Sequence, residues 1–138
     1  MMSKLSTKHF IGLKNTKASD IKLIIDTALT FREVLERPIK KIPSLKGKNI
    51  VNLFFENSTR TKLSFELAEK RLSADVLNFT ASSSSLNKGE SLRDTVQNIQ
   101  AMKIDCAVMR HPVPGSCLKL TNYLDCPIVN AGDGTNEH

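Results

Sequence analysis

Asn49-Ile50-Val51-Asn52-Leu53-Phe54-Phe55 is a short apolar run, and Glu56-Asn57-Ser58-Thr59-Arg60-Thr61 follows it before a helical pattern over about 60–72. The run reads as a buried strand that feeds the start of a helix. Helical spacing continues through this segment, and Glu66 and Lys70 form an i,i+4 pair on its exposed face. Outward from here the same alternation repeats. Asp75–Thr80 is a second strand, Asp105–Arg110 a third and Pro127–Asn130 a fourth. Between the second and third, Ser91 and Asp94 have capping-box spacing, and Leu92, Val96, Ile99 and Met102 supply an apolar helix face. A helix over about 115–124 buries Cys117, Leu120 and Leu124. Upstream, Ser19 caps a helix over about 20–36 whose apolar stripe is Ile21, Ile24, Ile25, Ala28, Phe31 and Leu35. Pro38 and Pro43 end it and lead through Lys46-Gly47-Lys48.

Strands separated by helices imply right-handed βαβ units, and so a three-layer α/β domain with a parallel sheet of about four strands flanked by helices. Its length of 138 residues fits one domain, and 40% hydrophobic with 25% charged residues is an ordinary globular composition. No apolar run approaches the ~18 residues that span a membrane. The segment Met1–Phe10 lacks the apolar core of a signal peptide, which points to folding in the cytoplasm. Cys106, Cys117 and Cys126 are odd in number, widely spaced and without a C-x-x-C pair, so they read as reduced, packed thiols rather than zinc ligands. The net charge is +6, but residues 1–48 hold 11 Lys/Arg against 4 Asp/Glu while the remainder holds 9 against 10. With few aromatics among those lysines, the excess reads as a solvated helix face rather than a nucleic-acid surface.

Ligands of parallel sheets bind outside the carboxyl ends of the strands. Beyond the first strand, Ser58, Thr59 and Thr61 bring hydroxyls and Arg60 a guanidinium to a helix N-terminus. The plain reading is an N-cap with a surface arginine; the richer one is a phosphate cradle, because helix N–H groups, hydroxyls and a guanidinium all suit a dianion. The second strand leads into Ser82–Ser85 and Lys88-Gly89-Glu90, a small polar loop with one flexible cation. The third ends at Arg110-His111-Pro112. An arginine there calls for an anion partner, while His111 stands either behind the site or in a structural role. The fourth opens into Asn130-Ala131-Gly132-Asp133-Gly134-Thr135-Asn136-Glu137-His138, a glycine-rich turn.

Phe54 to Glu66 resembles the carbamoyl-phosphate signature of the transcarbamoylases. Lys88-Gly89-Glu90, Val108–Pro112 and Asn130–His138 resemble the aspartate carbamoyltransferase family in particular. Ornithine-type transfer and a non-catalytic anion-binding domain are the competing readings. The resemblance implies transfer of a carbamoyl group from carbamoyl phosphate to L-aspartate, toward pyrimidines, in a homotrimer with or without regulatory chains. It assigns the phosphate to Ser58, Thr59, Arg60, Thr61 and Arg110, and polarisation of the carbamoyl carbonyl to Arg60, Thr61 and His138. Lys88 with Ser84 or Ser85 would enter from a neighbouring subunit, and Glu56 would help hold two domains closed. Fixed donors and cations suffice for this chemistry, so no metal or organic cofactor is implied. Neither is a nucleic-acid or membrane partner. The family continues past the residue matching His138 into an aspartate-binding domain. The chain therefore reads as the carbamoyl-phosphate half, residues 1–138, inactive alone and with apolar surface left uncovered.

Overall fold

A computed structural model describes residues 4–80 and 92–134. Its elements are α1 (Ala18–Arg32), a 3-10 turn (Glu33–Glu36), β1 (Asn49–Phe54), α2 (Thr59–Arg71) and β2 (Asp75–Thr80), then α3 (Leu92–Gln100), β3 (Cys106–His111), α4 (Ser116–Leu120) and β4 (Ile128–Asp133). The strands form one parallel sheet in the order β2-β1-β3-β4. Why β1 is apolar nearly throughout follows from its place in that order. Val51, Leu53 and Phe55 face one side, where Val96 and Ile99 of α3 meet Cys117 and Leu120 of α4. Ile50 and Phe54 face the other, packing with Val108, Ala131 and Phe65 of α2. A central strand covered on both faces has no solvent side to alternate with.

Asn52 interrupts the run, and it does not stand alone. Its Nδ2 donates to Glu69 Oε1 of α2 at 2.8 Å and to Asn78 Oδ1 of β2 at 3.1 Å. Glu69 is buried, and burial pushes its carboxyl up to about 7, against the hydrogen bond from Asn52 and with the nearby Glu66 charge. A carboxyl raised above its unfolded value stabilises the fold below that value, and the contribution is lost as pH rises through about 7. Glu69→Gln is therefore expected to flatten stability between pH 5 and 8 and to add about 2 kcal/mol at pH 8, on the order of one to two pKa units of linkage. Urea melts at the two pH values check this; an unchanged pH slope would refute it.

Several boundaries differ from the sequence reading. Ser19 lies inside the first turn of α1; the N-cap is Lys17, without a side-chain capping bond. The expected helix over 20–36 gives way after Arg32 to the 3-10 turn, a common way for a last turn to tighten ahead of a proline. Its stripe is not buried as a whole: Ile25 and Leu35 are exposed, and Leu29 of α1 and Leu63 and Leu67 of α2 add further exposed apolar surface. An apolar groove of about 350 Å³ runs between α1 and α2, lined by Phe31, Val34, Ile42 and Leu72. Met102 is exposed because α3 ends at Gln100 and the chain turns through Lys103, whose φ is +56°. The helix expected over 115–124 is regular only to Leu120, yet Cys117, Leu120 and Leu124 are all buried as the spacing required. Burial pushes the Cys106 and Cys117 thiols up to about 12, so they remain protonated and packed. Ser91 lies outside the described residues.

A feature with no sequence signal closes the β4 edge. Phe10 bridges Val129 in parallel, donating to Ile128 O at 2.8 Å and accepting from Asn130 N–H at 2.9 Å. His9 Nδ1 accepts the Ile128 N–H, and Asn130 Nδ2 donates to Ile11 O. Pairing along a strand edge satisfies backbone groups that would otherwise invite another chain.

Candidate functional site

The order β2-β1-β3-β4 places the chain's change of direction at β1, because β2 lies on one side of it and β3 and β4 on the other. A crevice opens where crossovers diverge from adjacent strands, and here that is outside the carboxyl ends of β1 and β3. The two ends are in register: Phe54 pairs with Arg110, and the Phe55 N–H donates to Arg110 O at 2.9 Å. The Glu56–Thr61 segment and the Arg110 side chain thus rise from neighbouring points.

On the β1 side, Ser58 is the N-cap of α2 but makes no side-chain capping bond. A helix's first N–H groups have no intrahelical acceptor, and together with the macrodipole they favour an anion. Thr59 and Arg60 are exposed, Ser58 is half-buried and Thr61 is buried. Arg60 therefore reaches solvent at the helix start, whereas Thr61 belongs to the floor beneath it.

Arg110 on the β3 side has the anion partner that its position called for. Its Nε donates to Glu56 Oε1 at 2.7 Å and its Nη1 to Ala131 O at 2.8 Å. Both side chains keep some solvent contact, Arg110 at 23% and Glu56 at 32% exposed, so the pair is neither surface nor core. The Ala131 carbonyl is available because β3 and β4 lose register: Met109 pairs with Asn130 but His111 with Asp133, so β4 carries an extra residue. A bulge of this kind redirects backbone groups beside a site. Gly132 occupies it at φ +119°, directly under the guanidinium.

His111 is tied down rather than aimed freely. Its Nδ1 accepts the Val113 N–H at 3.0 Å, with Ser116 Oγ also 3.0 Å away, and its ring lies 5.0 Å from that of Phe55. An accepting Nδ1 assigns the proton to Nε2. Burial holds the imidazole below its usual range, while the Glu56 and Asp133 carboxylates pull the other way. Ser84, Ser85, Lys88 and His138 lie outside the described residues. Sequence reasoning missed Ala131, Gly132 and Asp133. Two glycines flanking an acid were the available signal, but a glycine-rich turn does not disclose a bulge.

A helix N-terminus and an arginine thus converge on the switch point of a parallel sheet in an α/β domain, an arrangement suited to an anion. The sequence profile of the aspartate/ornithine carbamoyltransferase carbamoyl-P binding domain matches residues 8–138. The aspartate carbamoyltransferase catalytic subunit of Christiangramia forsetii is 62% identical over 138 residues, covering all of this chain and 44% of that protein. That of Flavobacterium psychrophilum is 58% identical over 137 residues, covering 99% and 44%. The solved catalytic subunit of M. jannaschii aspartate transcarbamoylase aligns at a TM-score of 0.84 and 43% identity, over 96% of this chain and 43% of that one. Aspartate transcarbamoylase from Trypanosoma cruzi, solved with carbamoyl phosphate and aspartate, aligns at 0.82 and 34% identity, over 95% and 40%. The chain belongs to the aspartate/ornithine carbamoyltransferase family and matches its carbamoyl-P binding domain. It spans less than half the length of these relatives.

Proposed function

We propose that this chain is the carbamoyl-phosphate-binding part of an aspartate carbamoyltransferase. In the whole enzyme the carbamoyl group passes from carbamoyl phosphate to the amine of L-aspartate, giving N-carbamoyl-L-aspartate and phosphate, a step of pyrimidine biosynthesis in the cytoplasm. The observation that carries this reading is the convergence of the α2 N-terminus and Arg110 on one strand-end crevice. The aspartate-type relatives favour aspartate over ornithine as the acceptor.

Attack of the amine puts negative charge on the carbamoyl oxygen and expels phosphate. Donors fixed in advance stabilise both charges without reorganising. Ser58, Thr59 and the first N–H groups of α2 hold the phosphate, with Arg60 and Arg110 as its cations. Arg60, Thr61 and His138 polarise the carbonyl. Lys88 with Ser84 or Ser85 comes from a neighbouring copy in a homotrimer. Glu56, paired with Arg110 at 2.7 Å, is placed to exchange partners when an anion arrives. The exposed apolar face of α1 and α2 suits a domain that works packed against further structure, and the chain alone is expected not to turn over aspartate.

Calorimetric titration with carbamoyl phosphate tests the site, comparing the parent chain with Arg60→Ala. Saturable binding is expected for the parent. Losing a charge-assisted contact should cost the variant about 2 kcal/mol or more, roughly thirtyfold in affinity. Equal affinity in a folded Arg60→Ala chain would remove Arg60 from the site.

A further inference from the structure

Past the bulge that turns Ala131 O toward Arg110, β3 and β4 are joined a second time. The Gly134 N–H donates to His111 O at 2.9 Å, and the Gly115 N–H donates to Asp133 Oδ2 at 2.9 Å. Pro114 packs so closely on Gly134 that a Cβ there would overlap its ring. Residues 111–116 are themselves folded onto the His111 ring through the Val113 N–H, and Ser116 Oγ donates to Val113 O at 2.7 Å. The loop after β3 and the end of β4 thus form one knitted unit, with Asp133 at its centre and only 3% exposed.

We propose that Asp133 is a positioning residue for the phosphate site: its buried carboxylate clasps the β3–α4 loop to the end of β4 and so sets the height of the carbonyl and glycine that hold Arg110. The inference rests on the phosphate-site reading above. Burying a carboxylate is costly, and an apolar side chain would serve packing better. The Gly115 N–H stands at the N-cap of α4, where the helix itself offers no acceptor, and Asp133 Oδ2 supplies one. Releasing the loop lets the bulge relax. Ala131 O and Gly132 then no longer fix Arg110, and the guanidinium settles on Glu56 alone. Asp133 acts through these groups and touches no ligand itself.

The test has two arms, each run on Asp133→Ala and Asp133→Asn. In the ligand-free chain, amide exchange is followed at Gly115 and Gly134, together with the Arg110 Nε–H resonance. Asp133→Ala is expected to expose both amides and move the Arg110 signal while Val51 and Leu53 of β1 stay protected. Asp133→Asn, which keeps an oxygen for the Gly115 N–H, restores the parent pattern. In the second arm inorganic phosphate is titrated. Affinity falls about tenfold or more in the alanine variant, as misplacement of a binding group predicts, and recovers in the asparagine variant. Unchanged Gly134 protection and Arg110 signal in Asp133→Ala overturn the proposal, as does full phosphate affinity with the clasp open. If the parent chain binds no phosphate, the site reading falls instead, and the exchange arm alone decides the clasp. Should Asp133→Ala lose β1 protection, Asp133→Ser takes its place.

Discussion

Gly132→Ala is expected to bind phosphate about a hundredfold more weakly than the parent chain, as a small displacement of a binding group can. Two physical effects act at this position. A Cβ on Gly132 would lie 2.5 Å from Arg110 Nη1 and 3.1 Å from Cζ, so the guanidinium cannot stay where it is. The backbone there has φ +119°, which non-glycine residues rarely adopt, at a cost of about 1–3 kcal/mol. The side chain's far end is the flexible partner in the clash, so most of the damage falls on the site rather than on the core. Urea midpoints separate the two: a modest loss of stability with near-complete loss of phosphate binding is the expected pattern. Parent-like affinity in Gly132→Ala would mean that Arg110 does not need its seat on β4.

Arg110 and Glu56 should respond to substitution in opposite directions. The 2.7 Å pair is half-buried, and two charges 4 Å apart at an effective dielectric of about 20 interact by about 4 kcal/mol before desolvation is counted. An arriving dianion must share or displace that carboxylate. Arg110→Met removes the cation and leaves Glu56 without its ion partner, so phosphate affinity should fall about a hundredfold and stability with it. Glu56→Gln removes the competitor while keeping an oxygen near Arg110 Nε, and phosphate should bind about tenfold more tightly, an effect that fades as salt screens it. Calorimetry at low and moderate ionic strength reads both. Weaker binding in Glu56→Gln would show that the carboxylate orients Arg110 more than it competes for it. Together with the Arg60 titration, the two variants separate the β1 and β3 contributions to one site.

Much of this was legible in the chain's order of residues. β2 falls at Asp75–Thr80 as the pattern indicates, β1 and α2 are within a residue, and the Glu66–Lys70 pair is present at 2.9 Å. These elements are set by local periodicity and breakers, which act over a few residues. The ends of β4 and α4 were not legible, because β4 runs on to Asp133 only by pairing with β3 through a bulge. Nor was Phe10 at the sheet edge, since Phe10 and Ile11 between polar residues and a glycine are too few to carry a strand period. The spacing of the α1 stripe marks a helix as expected, but periodicity reports the shape of an element and not what covers it, so the exposure of Ile25 and Leu35 was decided by the tertiary structure.

The site divides along the same line. Ser58, Thr59, Arg60 and Thr61 are contiguous and stand at a strand-to-helix junction, so the suitability of that turn for an anion is a local property of the sequence. The need of Arg110 for a partner was likewise evident from a charge at the end of a buried strand. Which partner it has is a different matter. Glu56 is 54 residues away and Ala131 another 21 in the other direction, and only the parallel pairing of β1, β3 and β4 brings the three together. Sequence alone thus determined the alternation of strands and helices and which polar residues follow the first and third strands. The tertiary structure decided the strand order, the bulge and the ion pair, because these depend on contacts between residues far apart in the chain, which no local pattern encodes.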